Sequence, residues 1–169
     1  MKRIALLSDT HGYLDQKLFK YFESCDEIWH AGDIGTIKLT DDLEKIKHVK
    51  AVYGNIDGQD VRKVWPKDQR FMCEGVDVWI THIGGYPGHY DKEVREKMIV
   101  APPKLFICGH SHILKVIYDK KLELLHINPG ACGFSGLHKV KTLVRFNIDA
   151  ENIKDLEVIE LGPRVQEKI

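Results

Sequence analysis

Short apolar runs, each ending in polar residues, recur along the first two thirds of the chain. Unbroken runs of this length are typical of β-strands that are buried on both faces, as in a sheet covered by helices. Five such runs end next to an Asp, His or Asn side chain. They cover residues 4–7, 28–31, 51–53, 78–81 and 105–108.

Apolar residues also recur at helical spacing in three segments between these runs, which predicts three helices. The sets are Leu14, Leu18, Tyr21 and Phe22; Leu39, Leu43 and Ile46; and Tyr90, Val94 and Met98. Strands that alternate with helices are the pattern of an α/β protein. We therefore expect an α/β fold for this part of the chain.

The last third of the chain has a different pattern. Residues 113–118 and 122–127 are two β-rich runs on either side of Asp119-Lys120-Lys121, which predicts a hairpin. Residues 140–148 and 156–161 predict further strands. We expect a single domain over residues 1–163 and a loose C-terminal tail over residues 164–169.

Composition narrows the class of protein. The chain has 169 residues, 43% of them hydrophobic, which is enough for one core without disulfides. The 25 basic residues balance 25 acidic ones, so we expect no extended nucleic-acid-binding surface and no membrane partner. The four cysteines form no C-x-x-C pair, and no apolar stretch is long enough for a signal peptide core or a membrane span. We expect a cytoplasmic protein.

Seven polar side chains that could bind metal follow the five apolar runs. They are Asp9, His11, Asp33, Asn55, His82, His110 and His112. Ligands bind at the carboxyl ends of strands in α/β sheets, and seven ligands would suit two ions that share one carboxylate. The nitrogen and oxygen donors, with no thiolate among them, favour Mn, Fe, Ni or Zn. Pairs of ions about 3.5–4 Å apart are typical of phosphatases and nucleases.

Each of these residues also has an ordinary interpretation. Asp9 and Asp33 could belong to turns, Asn55 could begin one, His11 could be a surface histidine, and His82 could be a buried core histidine. The H-x-H pair, His110 and His112, is harder to explain in this way, because alternate residues of a strand point to the same side. Possible ligands follow all five apolar runs, and this recurrence favours a metal site over separate ordinary interpretations.

The ligand blocks resemble those of a known family. Asp9-Thr10-His11, Gly32-Asp33, Gly54-Asn55-Ile56-Asp57, Thr81-His82 and Gly109-His110-Ser111-His112 resemble the five ordered blocks of the calcineurin-like metallophosphoesterases. The short length and Ile127-Asn128-Pro129-Gly130 resemble the small bacterial and archaeal phosphodiesterase branch, and the related retromer subunit. This resemblance implies two facing mixed β-sheets flanked by helices, as a four-layer sandwich.

The resemblance also implies roles for the seven residues. One ion would be held by Asp9, His11, Asp33 and His112, and the other by Asp33, Asn55, His82 and His110. A hydroxide between the ions would attack phosphorus in line, so that Asp33, Asn55 and His82 act in catalysis through it. We expect a small phosphoester substrate and two divalent ions, with Mn ahead of Ni, Fe, Zn or Mg.

One position departs from the wider superfamily. Many members have a proton-donating histidine after the metal-binding Asn, where this chain has Ile56. The small branch that the chain resembles also lacks this histidine, so loss of activity does not follow. General acid assistance is worth roughly 10²–10⁴-fold in rate, so its absence favours substrates with a good leaving group, or another proton source. His89, in the Gly-rich segment 84–90, could contact the leaving group or phosphate, or could be an exposed histidine before a helix.

The remaining histidines have simpler predictions. We expect His30 to pack in a strand, His48 to lie in an exposed turn and His138 to lie in a late loop. His126 is expected to pack, with a role behind the metal ligands as the alternative. Asn128-Pro129-Gly130 could border the metal site or form a plain turn.

The function expected is therefore that of a di-metal phosphodiesterase. Two alternatives stay open, a phosphomonoesterase of small metabolites and a non-catalytic scaffold that keeps the fold. All seven ligand positions carry suitable residues, and this favours an enzyme. A homo-oligomer is compatible with the sequence.

Overall fold

Two five-stranded β-sheets face each other in the computed structural model, which describes residues 1–165. The strands of the described chain are β1 Lys2–Leu7, β2 Glu27–His30, β3 His48–Ala51, β4 Asp68–Cys73, β5 Val76–Thr81, β6 Gly85–Tyr86, β7 His89–Tyr90, β8 Leu105–Ile107, β9 Lys115–Asp119, β10 Leu124–Asn128, β11 Val140–Asp149 and β12 Asn152–Pro163. The helices are α1 Phe19–Phe22, α2 Ile37–Glu44, α3 Gln59–Val64 and α4 Lys92–Val100.

Both sheets are mixed. The first has the order β12-β11-β1-β2-β3, in which β1, β2 and β3 run parallel and β11 and β12 are antiparallel. The second has the order β4-β5-β8-β10-β9, in which β5, β8 and β10 run parallel between two antiparallel edge strands. The carboxyl ends of six parallel strands therefore lie in two sets, one in each sheet.

Strand β1 shows why its run of apolar residues is unbroken. Ile4 and Leu6 face the second sheet, whereas Ala5 and Leu7 face the helices, and all four are fully buried. Full burial of a side chain such as Leu6 stabilises the fold by about 1.5–3 kcal/mol. Both faces of the strand therefore contribute to the core.

The helices complete four layers. Leu39 and Leu43 of α2 and Val61 of α3 pack on the outer face of the first sheet. Val94 and Met98 of α4 pack on the outer face of the second sheet. This arrangement confirms the predicted α/β class with two facing mixed sheets flanked by helices.

Two predicted helices have different bounds in the structure. The segment around Leu18 forms a 3₁₀ turn at residues 16–18 followed by the four-residue α1. Tyr90 lies in β7 rather than in α4, because Asp91 caps that helix by accepting a hydrogen bond from the Glu93 backbone N–H (3.1 Å). Ile46 lies just after the end of α2.

The predicted hairpin of the last third is β9 and β10, which pair antiparallel in the second sheet. The predicted late strands are β11 and β12, which return the chain to the first sheet beside β1. Arg164 is held by a bond from its backbone N–H to the Lys139 carbonyl (2.8 Å). The rest of the predicted tail, residues 166–169, lies outside the described residues.

Within residues 1–165, no helix has the length and apolar character required to span a membrane. The single domain expected over residues 1–163 stays a prediction.

Candidate metal centre

All seven predicted metal ligands follow carboxyl ends of parallel strands. The loops after β1, β2 and β3 of the first sheet carry Asp9, His11, Asp33 and Asn55. The loops after β5 and β8 of the second sheet carry His82, His110 and His112. The candidate site is therefore shared between the two sheets.

Six of these residues form two groups that could each hold an ion. In the first group, Asp9, His11, Asp33 and His112 place donor atoms within 4.8 Å of one another. In the second group, Asp33, His82 and His110 do the same. The Oδ1 of Asn55 lies 3.0 Å from Nδ1 of His110. The structure thus brings all seven residues together, with Asp33 in both groups.

Three buried donor atoms of this cluster, on Asp9, His11 and His82, approach other donor atoms closely without forming hydrogen bonds. Nε2 of His82 lies 3.2 Å from Oδ1 of Asp33, and Nε2 of His11 lies 3.5 Å from Oδ2 of Asp33. Oδ1 of Asp9, although 3.0 Å from Nε2 of His112, also has no hydrogen-bond partner among the described residues. Buried polar atoms are nearly always paired, so these buried orphans fit a metal ion as the missing partner. Imidazole and carboxylate suit a transition metal.

The charges of the site would attract a cation. Burial alone would raise the pKa of Asp33, but His82 and the Ile56 N–H lower it, so this carboxylate is ionised at neutral pH. Burial acts in the opposite direction on His82, yet Asp33 and Asp9 raise the pKa of its imidazole. The raised pKa of His82 shows that these carboxylates favour a positive charge within the site.

Five of the seven residues have the left-handed backbone conformation that non-glycine residues adopt rarely. Their φ angles are 54° at Asp9, 48° at His11, 53° at Asp33, 68° at His110 and 59° at His112. The other described non-glycine residues with positive φ are Glu74, Glu123, Ala150 and Asp155, which lie between or within strands. Such strain concentrates at functional sites.

Strand alternation does not place His110 and His112 on one side, contrary to the prediction from the H-x-H pattern. Strand β8 ends at Ile107, and both histidines lie in the following turn, where their backbones are left-handed. His112 therefore joins the group of Asp9, whereas His110 joins the group of His82. The turn therefore places in separate ligand groups two imidazoles that a strand would have placed on the same side.

Glycine precedes a ligand in three of the blocks because the space beside it is taken. A Cβ at Gly54 would lie 2.0 Å from Oδ1 of Asp33, and one at Gly109 would lie 2.1 Å from Oγ of Ser8. At Gly32, whose φ is +99°, a Cβ would lie 2.5 Å from Nδ1 of His82. Only glycine allows the loops to approach this closely.

Hydrogen bonds fix the orientation of several ligands. Ser8 donates from Oγ to Oδ2 of Asp9 (2.6 Å). Nδ1 of His82 donates to the Ala31 carbonyl (2.8 Å), which leaves Nε2 free to bind a metal. The Asp57 carboxylate accepts from the Gly54 N–H (2.7 Å) and the Ile34 N–H (3.0 Å), so it ties together the loops after β2 and β3.

Asn128 borders the site rather than forming a plain turn. Its Nδ2 donates to the Gly109 carbonyl (2.9 Å) and to Oγ of Ser111 (3.1 Å), and its Oδ1 accepts from the Gly130 N–H (3.0 Å). The first two bonds clamp the turn that carries His110 and His112, and the third lies within the segment 128–130 itself.

Two histidines that were expected to be ordinary support the site. His30 is buried and its Nε2 donates to Oγ1 of Thr10 (2.9 Å), while burial lowers its pKa to about 4. His138 donates to the Gly133 carbonyl (2.9 Å), and its ring centre lies 5.3 Å from that of His112. Asp57 and His138 carry no local signal for this role, because Ile34 and His112 come from distant loops, whereas Ser8 is next to its partner Asp9 in the chain.

The predictions for His48 and His126 have different outcomes. His48 is exposed, as expected, but it begins strand β3 instead of lying in a turn. His126 packs in β10 with no exposed surface, and neither of its ring nitrogens has a hydrogen-bond partner among the described residues.

His89 lies in β7 and is exposed. It lines a cleft of about 430 Å³ that also reaches His110. Ile56 occupies the position at which many superfamily members have the proton-donating histidine. It is 46% exposed, and its N–H donates to Oδ1 of Asp33 (3.1 Å). Contact between His89 and a substrate stays a prediction.

Comparison with known proteins identifies the class that this fold and site define. Residues 1–151 match the calcineurin-like phosphoesterase superfamily domain. The chain belongs to this family, which confirms the resemblance seen in the motif blocks. The family implies divalent metal ions, in agreement with the orphaned donor atoms.

Two probable metallophosphoesterases are similar to this chain over most of its length. A probable metallophosphoesterase of Mycoplasma pneumoniae is 31% identical over 92% of this chain and 96% of its own. One from Methanothermobacter thermautotrophicus is 27% identical over 96% of this chain and 94% of its own.

Two solved structures share the fold. A novel archaeal phosphodiesterase has a TM-score of 0.73 at 22% identity, over 94% of this chain and 99% of its own. Vps29 of Chaetomium thermophilum has a TM-score of 0.73 at 14% identity, over 96% of this chain and 100% of its own.

Proposed function

We propose that this protein is a metal-dependent phosphodiesterase with a di-metal centre. The observation that carries the proposal is the pair of ligand groups that share Asp33, with three buried donor atoms left without a protein partner. Asp9, His11, Asp33 and His112 would hold one ion, and Asp33, Asn55, His82 and His110 the other. Mn is the metal we expect to support activity best.

When bound, two divalent ions supply a hydroxide nucleophile near neutral pH and neutralise charge on the phosphoryl oxygens. The chain's own residues prepare this chemistry. Asp33 and His82 are buried and oriented by hydrogen bonds, so they hold their geometry as substrate binds. His110 is exposed and opens the site to solvent, which gives a phosphate group access.

A diester fits the surroundings of the site better than a monoester. One cleft of about 450 Å³ borders Asn55 and His82, and another of about 430 Å³ borders His110. Ile83 and Asp91 lie between the clefts and line both. A diester has two ester groups that could occupy two clefts, whereas a monoester has one. The archaeal phosphodiesterase of similar fold supports the same preference.

The substrate class is tested with Mn-loaded protein and two chromogenic compounds. We expect turnover of bis(p-nitrophenyl) phosphate to exceed that of p-nitrophenyl phosphate in kcat/KM. The reverse order would favour a phosphomonoesterase of small metabolites. Failure to bind any divalent metal after Mn supplementation, measured by elemental analysis, would rule out the enzyme.

The shared ligand is tested by Asp33→Asn. Asn tolerates the left-handed backbone of Asp33 and can still accept the Ile56 N–H bond, so the fold is kept. We expect turnover to fall below detection and metal content to decrease. Asp155→Asn is a matched control, since Asp155 has the same φ of 53° on the exposed strand β12. Retained turnover in Asp33→Asn would contradict the shared role.

A non-catalytic scaffold is the second candidate function. The similarity to Vps29 structures favours it, as does the apolar surface of edge strand β9, where Val116, Ile117 and Tyr118 are exposed. A protein that binds Mn but hydrolyses neither compound would support the scaffold.

We also propose a cytoplasmic location. Cys25, Cys73, Cys108 and Cys132 are free and buried, as expected in a reducing compartment. Burial raises the pKa of Cys108 and Cys132 to about 12, so these thiols are unreactive.

A further inference from the structure

We propose that the cleft beside His110 binds a flat, hydrogen-bonding aromatic ring, such as a nucleobase, on one ester group of the substrate. The cleft, of about 430 Å³, lies between the β6–β7 hairpin and the start of β9, and we call it the hairpin cleft. This inference rests on the proposed function, since it names the class of phosphodiester that the metal centre would receive.

The hairpin that forms one wall is held in place. Oη of Tyr90 donates to Oδ2 of Asp119 (2.8 Å), which ties the hairpin to the end of β9. Sγ of Cys108 contacts the Gly85 carbonyl at 3.4 Å, which ties the hairpin to the chain after β8. A preformed wall lowers the entropy lost when a ligand binds.

The wall presents aromatic surface to the cleft. The ring centres of Tyr86 and His89 are 4.9 Å apart, and Tyr86 is 43% exposed. Nζ of Lys115 lies 3.9 Å from the centre of the Tyr86 ring. Ile83 and Ile113 add exposed apolar surface to the lining. Aromatic and apolar walls of this kind accept flat rings.

His126 is the polar group of the hairpin cleft that would hydrogen-bond to a bound ring. It lines the hairpin cleft, has no exposed surface, and both of its ring nitrogens lack a hydrogen-bond partner in the described chain. A neutral imidazole offers one donor and one acceptor, and either of them can hydrogen-bond to a ring nitrogen or amino group of a heteroaromatic ligand. Burial lowers the pKa of His126 to about 4, so the imidazole is neutral at pH 7.

The position of the cleft links ring binding to the metal centre. His110 lines the hairpin cleft and also belongs to the second ligand group. A ring in the cleft would therefore be attached to a phosphate at the metal centre through a short linker such as a sugar. The size of the cleft exceeds what a phosphate or methyl ester needs.

The test measures binding without catalysis, in metal-free wild-type protein. Adenosine is titrated while the imidazole signals of His89 and His126 are followed by NMR, and ribose serves as the ligand that lacks a ring. We expect adenosine to shift both signals and ribose to shift neither.

Two variants test the two features of the cleft. Tyr86→Ala should weaken adenosine binding about five- to hundredfold, the range for loss of base–aromatic stacking. His126→Phe keeps a ring in an aromatic environment and should weaken binding about fivefold, through loss of a hydrogen bond. Tyr118→Ala is the control, because Tyr118 is an exposed tyrosine of β9 outside the cleft lining.

The outcomes separate this inference from the proposed function. Adenosine that binds no better than ribose, or equally to wild type and Tyr86→Ala, would overturn the ring site, whatever the turnover. Binding as expected, in a Mn-loaded protein that hydrolyses no phosphodiester, would support the ring site and overturn the proposed function.

Discussion

Replacing His126 by Phe should remove part of the acid sensitivity of the fold. His126 is buried between Phe106 and Tyr90, with ring centres 5.8 and 6.3 Å away. Burial, aided by Lys115, lowers its pKa from 6.5 to about 4. The unfolded chain therefore binds a proton at a pH where the folded chain does not. Stability is retained above pH 6.5 and decreases as the pH falls toward 4.

The size of the effect follows from these two pKa values. Between pH 7.5 and pH 5.0, a histidine that titrates at 6.5 when unfolded and about 4 when folded lowers the free energy of unfolding by about 2 kcal/mol. Phe at position 126 cannot titrate, so the variant should lose about 2 kcal/mol less than wild type over this interval. His30, whose pKa is also lowered to about 4, is present in both proteins and cancels.

Urea unfolding at the two pH values measures the difference. EDTA is present throughout, so that loss of metal on acidification does not contribute. At a urea dependence of about 2 kcal/mol per molar, 2 kcal/mol corresponds to about 1 M in the midpoint. Equal losses in wild type and His126→Phe would refute the neutral, buried state of this imidazole.

Three further changes test other parts of the structure. Gly109→Ala would place a Cβ 2.1 Å from Oγ of Ser8, so elemental analysis should show reduced Mn content, whereas Gly58→Ala, with 3.2 Å to its nearest neighbour, should retain it. Lys141→Met leaves the buried carboxylate of Asp15 without its 2.7 Å partner and should lower the urea-derived free energy of unfolding by about 3–5 kcal/mol; an unchanged value would contradict the importance of this pair. His89→Ala should lower kcat/KM on bis(p-nitrophenyl) phosphate if His89 contacts the leaving group or phosphate; unchanged kinetics would end that hypothesis.

The strands of the core were predictable because their signal is local. The run at residues 4–7 is apolar at every position, since both faces of β1 are covered. Helix α3 was missed because Val61 is the one buried residue of this helix in the described chain, so no apolar spacing marks it. Strand β4 was missed because its first residues, Asp68, Gln69 and Arg70, are polar and partly or fully exposed.

The candidate ligands were also predictable, since each follows a strand directly. The residues that orient them were not, because their contacts join distant parts of the chain. His138 meets His112 across 26 positions, and Asp57 reaches back to the loop after β2. The left-handed backbone at His110 and His112 was equally invisible in the sequence, although each imidazole lies in the ligand group that the family resemblance implied.

The division of the candidate metal centre between the two sheets has a mechanical consequence. Asp9 and His112 belong to opposite sheets, and about a hundred residues separate them along the chain. An ion held by both would act as a cross-link that closes this long loop, much as a disulfide does. Metal binding should therefore hold the two sheets together at this end of the sandwich and slow unfolding. The same ligands would then contribute to kinetic stability as well as to the proposed activity.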